Sequence, residues 1–306
     1  MTPSRISGLL FAVCLSAFLG GCGTSAKPEA VWGQRGVRDG DFVRPRAAVI
    51  DGQDRLWVVD FTARVQAFDL DGQYLGPTFT TPDYRNGRPS GLGVTNDGRL
   101  MVCDSHYHTL RIYDTDSNEV QTIGGRSGNG PGEFGYLSDA VQDADGFFYV
   151  SEFGINERIT KLKADGSFVK SWGKPGIEPG EFNRPRALAL GPDGNLYVAD
   201  GCNHRVQVFT RDGDLVRVIG REGTEPGELK YPYDLAFGPK KQLYVVERGN
   251  HRVQRFTMDG VSEGVWGGKN GRLPGQLADP WGLVVDKKGR VHVIDTENHR
   301  VQRIKF

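Results

Sequence analysis

The chain is poor in the residues from which most active centres are built. It has four cysteines and six histidines in 306 residues, and no two cysteines stand at the spacing of a zinc-binding pair. Neither charge sign is in excess, with 38 Lys and Arg against 38 Asp and Glu. A nucleic-acid surface would show a basic excess or stripe. Here arginines and acids are interleaved along the same segments, so no nucleic-acid partner is expected. No long helical period appears after residue 30, which argues against helical architecture. The apolar run Ile6–Leu19 is too short to read as a membrane span. No linker or shift in composition marks a second domain.

What the chain has is repetition. An acidic residue closing a short apolar strand recurs at Asp60, Asp104, Glu152, Asp200, Glu247 and Asp295, in steps of 44, 48, 48, 47 and 48 residues. So regular a period signals a repeat architecture. The clearest copy spans Pro185 to Gly220, with apolar runs at Ala187–Leu190, Asn195–Asp200, Arg205–Thr210 and Leu215–Gly220. The separators GPDGN and TRDGD are tight-turn chemistry, because Gly supplies positive φ and Asp bonds to its own backbone. Each copy therefore reads as a four-stranded antiparallel meander. One meander cannot bury both of its faces, and radial stacking solves this. The predicted fold is all-β: a six-bladed β-propeller of four-stranded antiparallel blades over residues 29–306. The sixth copy stops one strand short, at Phe306. Val31-Trp32-Gly33 matches the fourth-strand endings Ser171-Trp172-Gly173 and Val218-Ile219-Gly220. The N-terminal strand is thus expected to close blade six as its outermost strand.

Three copies carry the phrases NHRVQVF, NHRVQRF and NHRVQRI, at 203–209, 250–256 and 298–304, alongside PGEF, PGEL and PGQL motifs. Together with LYVAD and LYVVE they resemble NHL repeats, and the resemblance covers roughly residues 30 to 306. It implies a six-bladed propeller and does not imply one function. Copy one lacks the Asn-His pair, copy two has Thr109 in place of the repeat arginine, and copy three has Glu157 in place of histidine. The six repeat acids read as structural. Each ends a second strand just before a turn, with Arg64, Arg158, Arg205, Arg252 and Arg300 as expected partners.

Residues 1–21 read as a signal segment, and Leu19-Gly20-Gly21-Cys22 resembles a bacterial lipobox. That resemblance implies lipidation at Cys22, with residues 22–28 as a tether. Gly23, where an inner-membrane retention signal often has Asp, implies the outer membrane. The expected product is an exported, lipid-anchored monomer. Removing residues 1–21 deletes one Arg and no acid, leaving 37 basic and 38 acidic residues. Cys103 and Cys202 stand two blades apart, beyond disulfide reach, and are expected as free thiols.

In a propeller the first strand of each blade lines the central channel. The positions at its mouth hold Arg46, Ser90, Ser138, Arg186, Tyr233 and Trp281, with Asp139 and Asp234 following. Arg46 and Arg186 belong to opposite blades and are expected to face each other. Such a mixture suits a carboxylate or phosphate between two guanidiniums with aromatic walls. Alternatively, the arginines pair with Asp139, Asp234 or the repeat acids and merely line a wet channel. The chain also resembles the peptide-amidating lyases, through a phrase close to ADGCN, but their zinc-ligand histidines have no counterpart at these positions. Gluconolactonase-like propellers use channel calcium, and no motif transfers their ligands. No catalytic residue, metal or cofactor is assigned. The leading expectation is a binding or scaffold module for an envelope protein, peptide or glycan. A divergent lyase or lactonase is the alternative, and a ligand-sensing domain the third reading.

Overall fold

A computed structural model describes residues 27–82 and 88–306. The signal segment, Cys22 and most of the tether lie outside the described residues. Among those described, six four-stranded antiparallel sheets follow one another around a ring. The inner strands are Pro45–Ile50, Pro89–Val94, Tyr136–Gln142, Pro185–Leu190, Pro232–Phe237 and Gly282–Val285. In blade four the remaining strands are Leu196–Asp200, Arg205–Phe209 and Leu215–Ile219. These fall within a residue or two of the apolar runs. The hairpin turns follow the Asp chemistry: Asp143 Oδ1 accepts the backbone N–H of Asp145 at 3.0 Å and of Phe147 at 2.9 Å.

The dense second strands have a simple cause. Alternate residues of a strand face opposite sides, and here both sides meet another blade. In Leu196–Asp200, Leu196 and Val198 pack with Tyr149, Phe182 and Phe209 toward blade three. Tyr197 and Ala199 pack with Leu235 and Val245 toward blade five. Six apolar clusters arise in this way, one at each blade interface. The apolar residue that ends each PGEF-type motif plugs the outer side of an interface: Phe42, Phe134, Phe182, Leu229 and Leu277 are fully buried. Phe182 lies against Gly173, where an added Cβ would stand 2.4 Å from its ring and where φ is +94°. The Gly of the Trp-Gly ending is therefore dictated twice, by space and by backbone.

The ring closes through its N-terminal strand. Ala30–Trp32 pairs antiparallel with Arg300–Ile304, in the register Ala30 to Arg303 and Trp32 to Val301. It forms the outermost strand of blade six. Trp32 then packs against Phe68 and Phe42 of blade one in tilted contacts, with ring centroids 4.8 and 5.7 Å apart. Among the described residues no helix is long and apolar enough to cross a membrane.

Candidate functional site

The recurring phrases of the repeat build the frame of the site. Each repeat acid is fully buried, and Asp60, Glu152, Asp200, Glu247 and Asp295 join the corner after their strand to the loop that enters the inner strand. Asp200 accepts the backbone N–H of Asn183 at 2.8 Å, Asn203 Nδ2 and Arg205 Nε at 2.9 Å, and Gln207 Nε2 at 3.0 Å. Arg205 also donates to the carbonyls of Ile177, Glu178 and Glu181 in the PGEF-type loop. Ion pairs of the same kind join Asp60 to Arg64, Glu152 to Arg158, Glu247 to Arg252 and Asp295 to Arg300. In copy two, where Thr109 replaces the arginine, Arg111 reaches Asp104 at 3.0 Å. Two of the three repeat histidines join neighbouring blades: His204 Nδ1 accepts the N–H of Tyr231, and His299 Nδ1 that of Arg44, both at 3.0 Å, whereas the buried Nδ1 of His251 has no hydrogen-bond partner among the described residues. Glu157 stands in for histidine in copy three, accepting the N–H of Arg184 at 2.6 Å.

Inside this frame the inner strands enclose a channel of about 400 Å³, bordered by all eight mouth and sub-mouth positions read from the sequence. Their side chains do different things. Ser90 Oγ reaches the carbonyl of Leu137 at 2.8 Å, and Ser138 Oγ that of Pro185 at 2.6 Å. Both hydroxyls therefore tie an inner strand to the next blade. A β-bulge between Leu137 and Asp139 breaks the alternation, leaving Ser138 buried against Ser151 and Asp139 on the channel.

Arg46 and Arg186 converge on one ring. Their guanidinium carbons lie 4.8 and 5.2 Å from the centroid of Trp281. Arg186 also lies over Tyr233 at 4.4 Å, and Arg46 over Phe61 at 4.9 Å. Among the described residues neither arginine has a carboxylate partner. Arg46 makes one long hydrogen bond, 3.4 Å to the carbonyl of Pro89. Burial, and next the charge of Arg186, pull the Arg46 pKa down to about 10. Burial lowers that of Arg186 as well. The expectation that these arginines pair with Asp139, Asp234 or the repeat acids is not met. Asp139 and Asp234 take backbone donors and the repeat acids take other side chains, and aromatic faces hold the guanidiniums in place.

The rim around them is rich in cations. Arg88 lies over Phe61 at 3.5 Å, Arg44 pairs with Glu297, and Arg248 bridges Tyr233 Oη at 3.2 Å and Asp279 at 2.9 Å. Sequence reasoning did not single out Phe61, Arg88, Arg248 or Phe153, whose ring centroid lies 5.5 Å from the Arg186 guanidinium carbon. A signal existed for three of them: Phe61, Phe153 and Arg248 each follow a repeat acid, at a position that differs from copy to copy.

Below the mouth lie Asp139 and Asp234. Asp139 accepts the backbone N–H of Leu188 at 2.9 Å. Asp234 accepts those of Leu235 at 2.8 Å and Leu283 at 2.9 Å. Burial raises the Asp139 carboxyl well above the usual range, and the charge of Asp234 raises it further. Burial takes Asp234 up to about 7. Cys103 and Cys202 are free thiols. Among the described residues no three His, Cys, Asp or Glu side chains are grouped to hold a metal ion. A catalytic zinc needs about three protein ligands at one point. The mouth offers guanidiniums where those ligands would stand, so the residues present do not fit the zinc of an amidating lyase.

Comparison with known proteins agrees with this architecture. The family model of the NHL repeat matches residues 182–209, 229–256 and 277–304. The chain is a six-bladed β-propeller whose last three blades carry NHL repeats. It is 36% identical over 122 residues to peptidylglycine alpha-amidating monooxygenase of Rattus norvegicus, covering 37% of this chain and 12% of that protein. It is 28% identical over 154 residues to NHL repeat-containing protein 3 of Mus musculus, covering 46% and 43% respectively. The chain thus spans less than half the length of these curated relatives. In structure it is similar to virginiamycin B lyase from Staphylococcus aureus in complex with quinupristin, with a TM-score of 0.62, 15% identity and coverage of 90% and 88%. It is also similar to a gluconolactonase from Xanthomonas campestris, with a TM-score of 0.63, 16% identity and coverage of 85% and 86%. At such identities the likeness is one of fold.

Proposed function

We propose that this propeller is a binding module whose channel mouth takes the acidic group of an envelope protein, peptide or glycan. The observation that carries this reading is the pair Arg46 and Arg186: two guanidiniums held on aromatic faces, with no carboxylate to neutralise them among the described residues. Preorganised, weakly hydrated guanidiniums are suited to carboxylate or phosphate. Lipidation at Cys22 would hold the module at a membrane, the outer membrane by the lipobox reading, as an exported monomer with no nucleic-acid partner. Cross-linking in intact cells followed by mass spectrometry tests it. A partner captured by the native chain and lost from Arg46→Gln/Arg186→Gln of unchanged thermal stability supports the reading; equal capture by both overturns it.

A second reading is a divergent propeller enzyme of the amidating-lyase or lactonase type. The 36% identity to the rat amidating monooxygenase over 122 residues favours it. Metal analysis of the purified chain separates the two, because one equivalent of zinc or calcium retained through dialysis would favour the enzyme.

A further inference from the structure

The channel carries a layer of guanidiniums and, below it, a layer of carboxyl groups, and the two do not pair with each other among the described residues. The upper layer is Arg46 and Arg186. The lower is Asp139 and Asp234, which accept hydrogen bonds from backbone amides and have no ion pair among the described residues. The depth of the lower layer follows from these bonds. Asp139 is bonded at Leu188, two residues beyond Arg186 on one inner strand. Asp234 is bonded at Leu283, two residues beyond Trp281 on another. Two residues of strand correspond to roughly 6 Å, so the acids lie about that far below the mouth. Gly91 makes room for this arrangement, since a Cβ there would stand 2.7 Å from Asp139 Oδ1. Neither layer is spent on structure as the repeat acids are, for those are closed by arginine, asparagine and glutamine donors.

We infer that the ligand of this site is zwitterionic: its acid lies between Arg46 and Arg186, and an ammonium group reaches down to Asp139 and Asp234. This rests on the reading of the mouth given above and adds the second half of the ligand. An ammonium fits because it brings one positive charge and three donors to two carboxylates that lack a cation. An apolar stem between the two charges would meet the aliphatic wall supplied by Leu92, Leu188, Leu235 and Leu283.

Calorimetry on the purified full chain tests this with 4-aminobutanoate, 6-aminohexanoate, hexanoate and hexylammonium. At least one amino acid should bind about tenfold more tightly than hexanoate and hexylammonium, in line with a close charge pair. Asp139→Asn/Asp234→Asn should remove that advantage and leave hexanoate binding as it was. Asn keeps the shape and an acceptor for the backbone amides, and Asp234→Asn alone serves if the double variant does not fold. Equal binding of hexanoate and both amino acids, or an advantage that survives the asparagines, overturns the inference and leaves the mouth reading intact. If hexanoate and both amino acids fail to bind, or if hexanoate binds equally to Arg46→Gln/Arg186→Gln, the mouth reading falls as well.

Discussion

At the scale of single residues, the repeat turns motifs into structure and leaves the exceptions for function. Asp200 shows what a repeat acid does: four kinds of donor close on one carboxylate. Asp200→Ala strands those donors in a buried site, and losing one side of a buried ion pair costs about 3–5 kcal/mol. Urea denaturation should show that loss. Arg111→Ala should cost about as much as Arg205→Ala, although Arg111 does not occupy the repeat-arginine position. The sequence showed Thr109 as a gap in the pattern and could not show how it is filled. Residues two apart on a strand face the same side, so Arg111 reaches Asp104 from two positions further along. The mouth was legible to a similar degree. Alignment of the copies located all eight channel positions, because they cluster at the start of the inner strands. It did not show which of them point inward. That depends on the bulges at Leu137/Asp139 and Pro232/Asp234, which no residue type announces. Nor did it show that Trp281 brings the two arginines together.

At the scale of strands and blades, the contacts that matter run between repeats rather than within them. The four-stranded meander and the closing strand were legible because turn residues and apolar runs recur at a fixed period. The latches between blades were not. In two of the three Asn-His-Arg phrases the histidine, His204 or His299, acts on the blade that follows, through a backbone N–H which carries no sequence signature. The sequence shows Glu157 only as a departure from the repeat, whereas its carboxylate accepts the same bond. The closing strand supports a direct test. Trp32 seals the seam between blades six and one against Phe42 and Phe68. Trp32→Ala should cost about 3 kcal/mol, the lower end for a large aromatic because the ring is half-buried. Deleting residues 29–33 should lower the melting temperature further, since it removes the strand pairing as well. Scanning calorimetry of the two variants beside the native chain measures both losses.

At the scale of the whole molecule, the latches and the channel acids make stability respond to pH in opposite directions. His204 and His299 accept backbone N–H bonds at Nδ1, so a proton there sets donor against donor. Burial holds both below the usual histidine range. Around them stand Glu222 and Lys230 for His204, and Arg35, Glu297 and Arg44 for His299. A histidine depressed in the folded state contributes stability that is complete above the unfolded value, about 6.5. That contribution is lost as pH falls through the folded value. Asp139 and Asp234 are raised instead, both by burial and Asp139 further by the charge of Asp234, with Cys103 also beside Asp139. Their contribution is complete below the unfolded value, about 3.9, and is lost as pH rises, for Asp234 through about 7. Between pH 7 and 5 the latches therefore weaken while the channel acids are relieved of charge, each by at most about 1.4 kcal/mol per group per pH unit. The native chain should show a shallow stability profile over this window, because the two slopes oppose. Asp139→Asn/Asp234→Asn should lose stability more steeply than the native chain on acidification. His204→Gln/His299→Gln should instead gain stability between pH 7 and 5. Urea midpoints measured at half-unit steps decide it. Parallel profiles for all three proteins would show that neither the latches nor the channel acids titrate in this window, and that the ring is held by its apolar interfaces and repeat ion pairs alone.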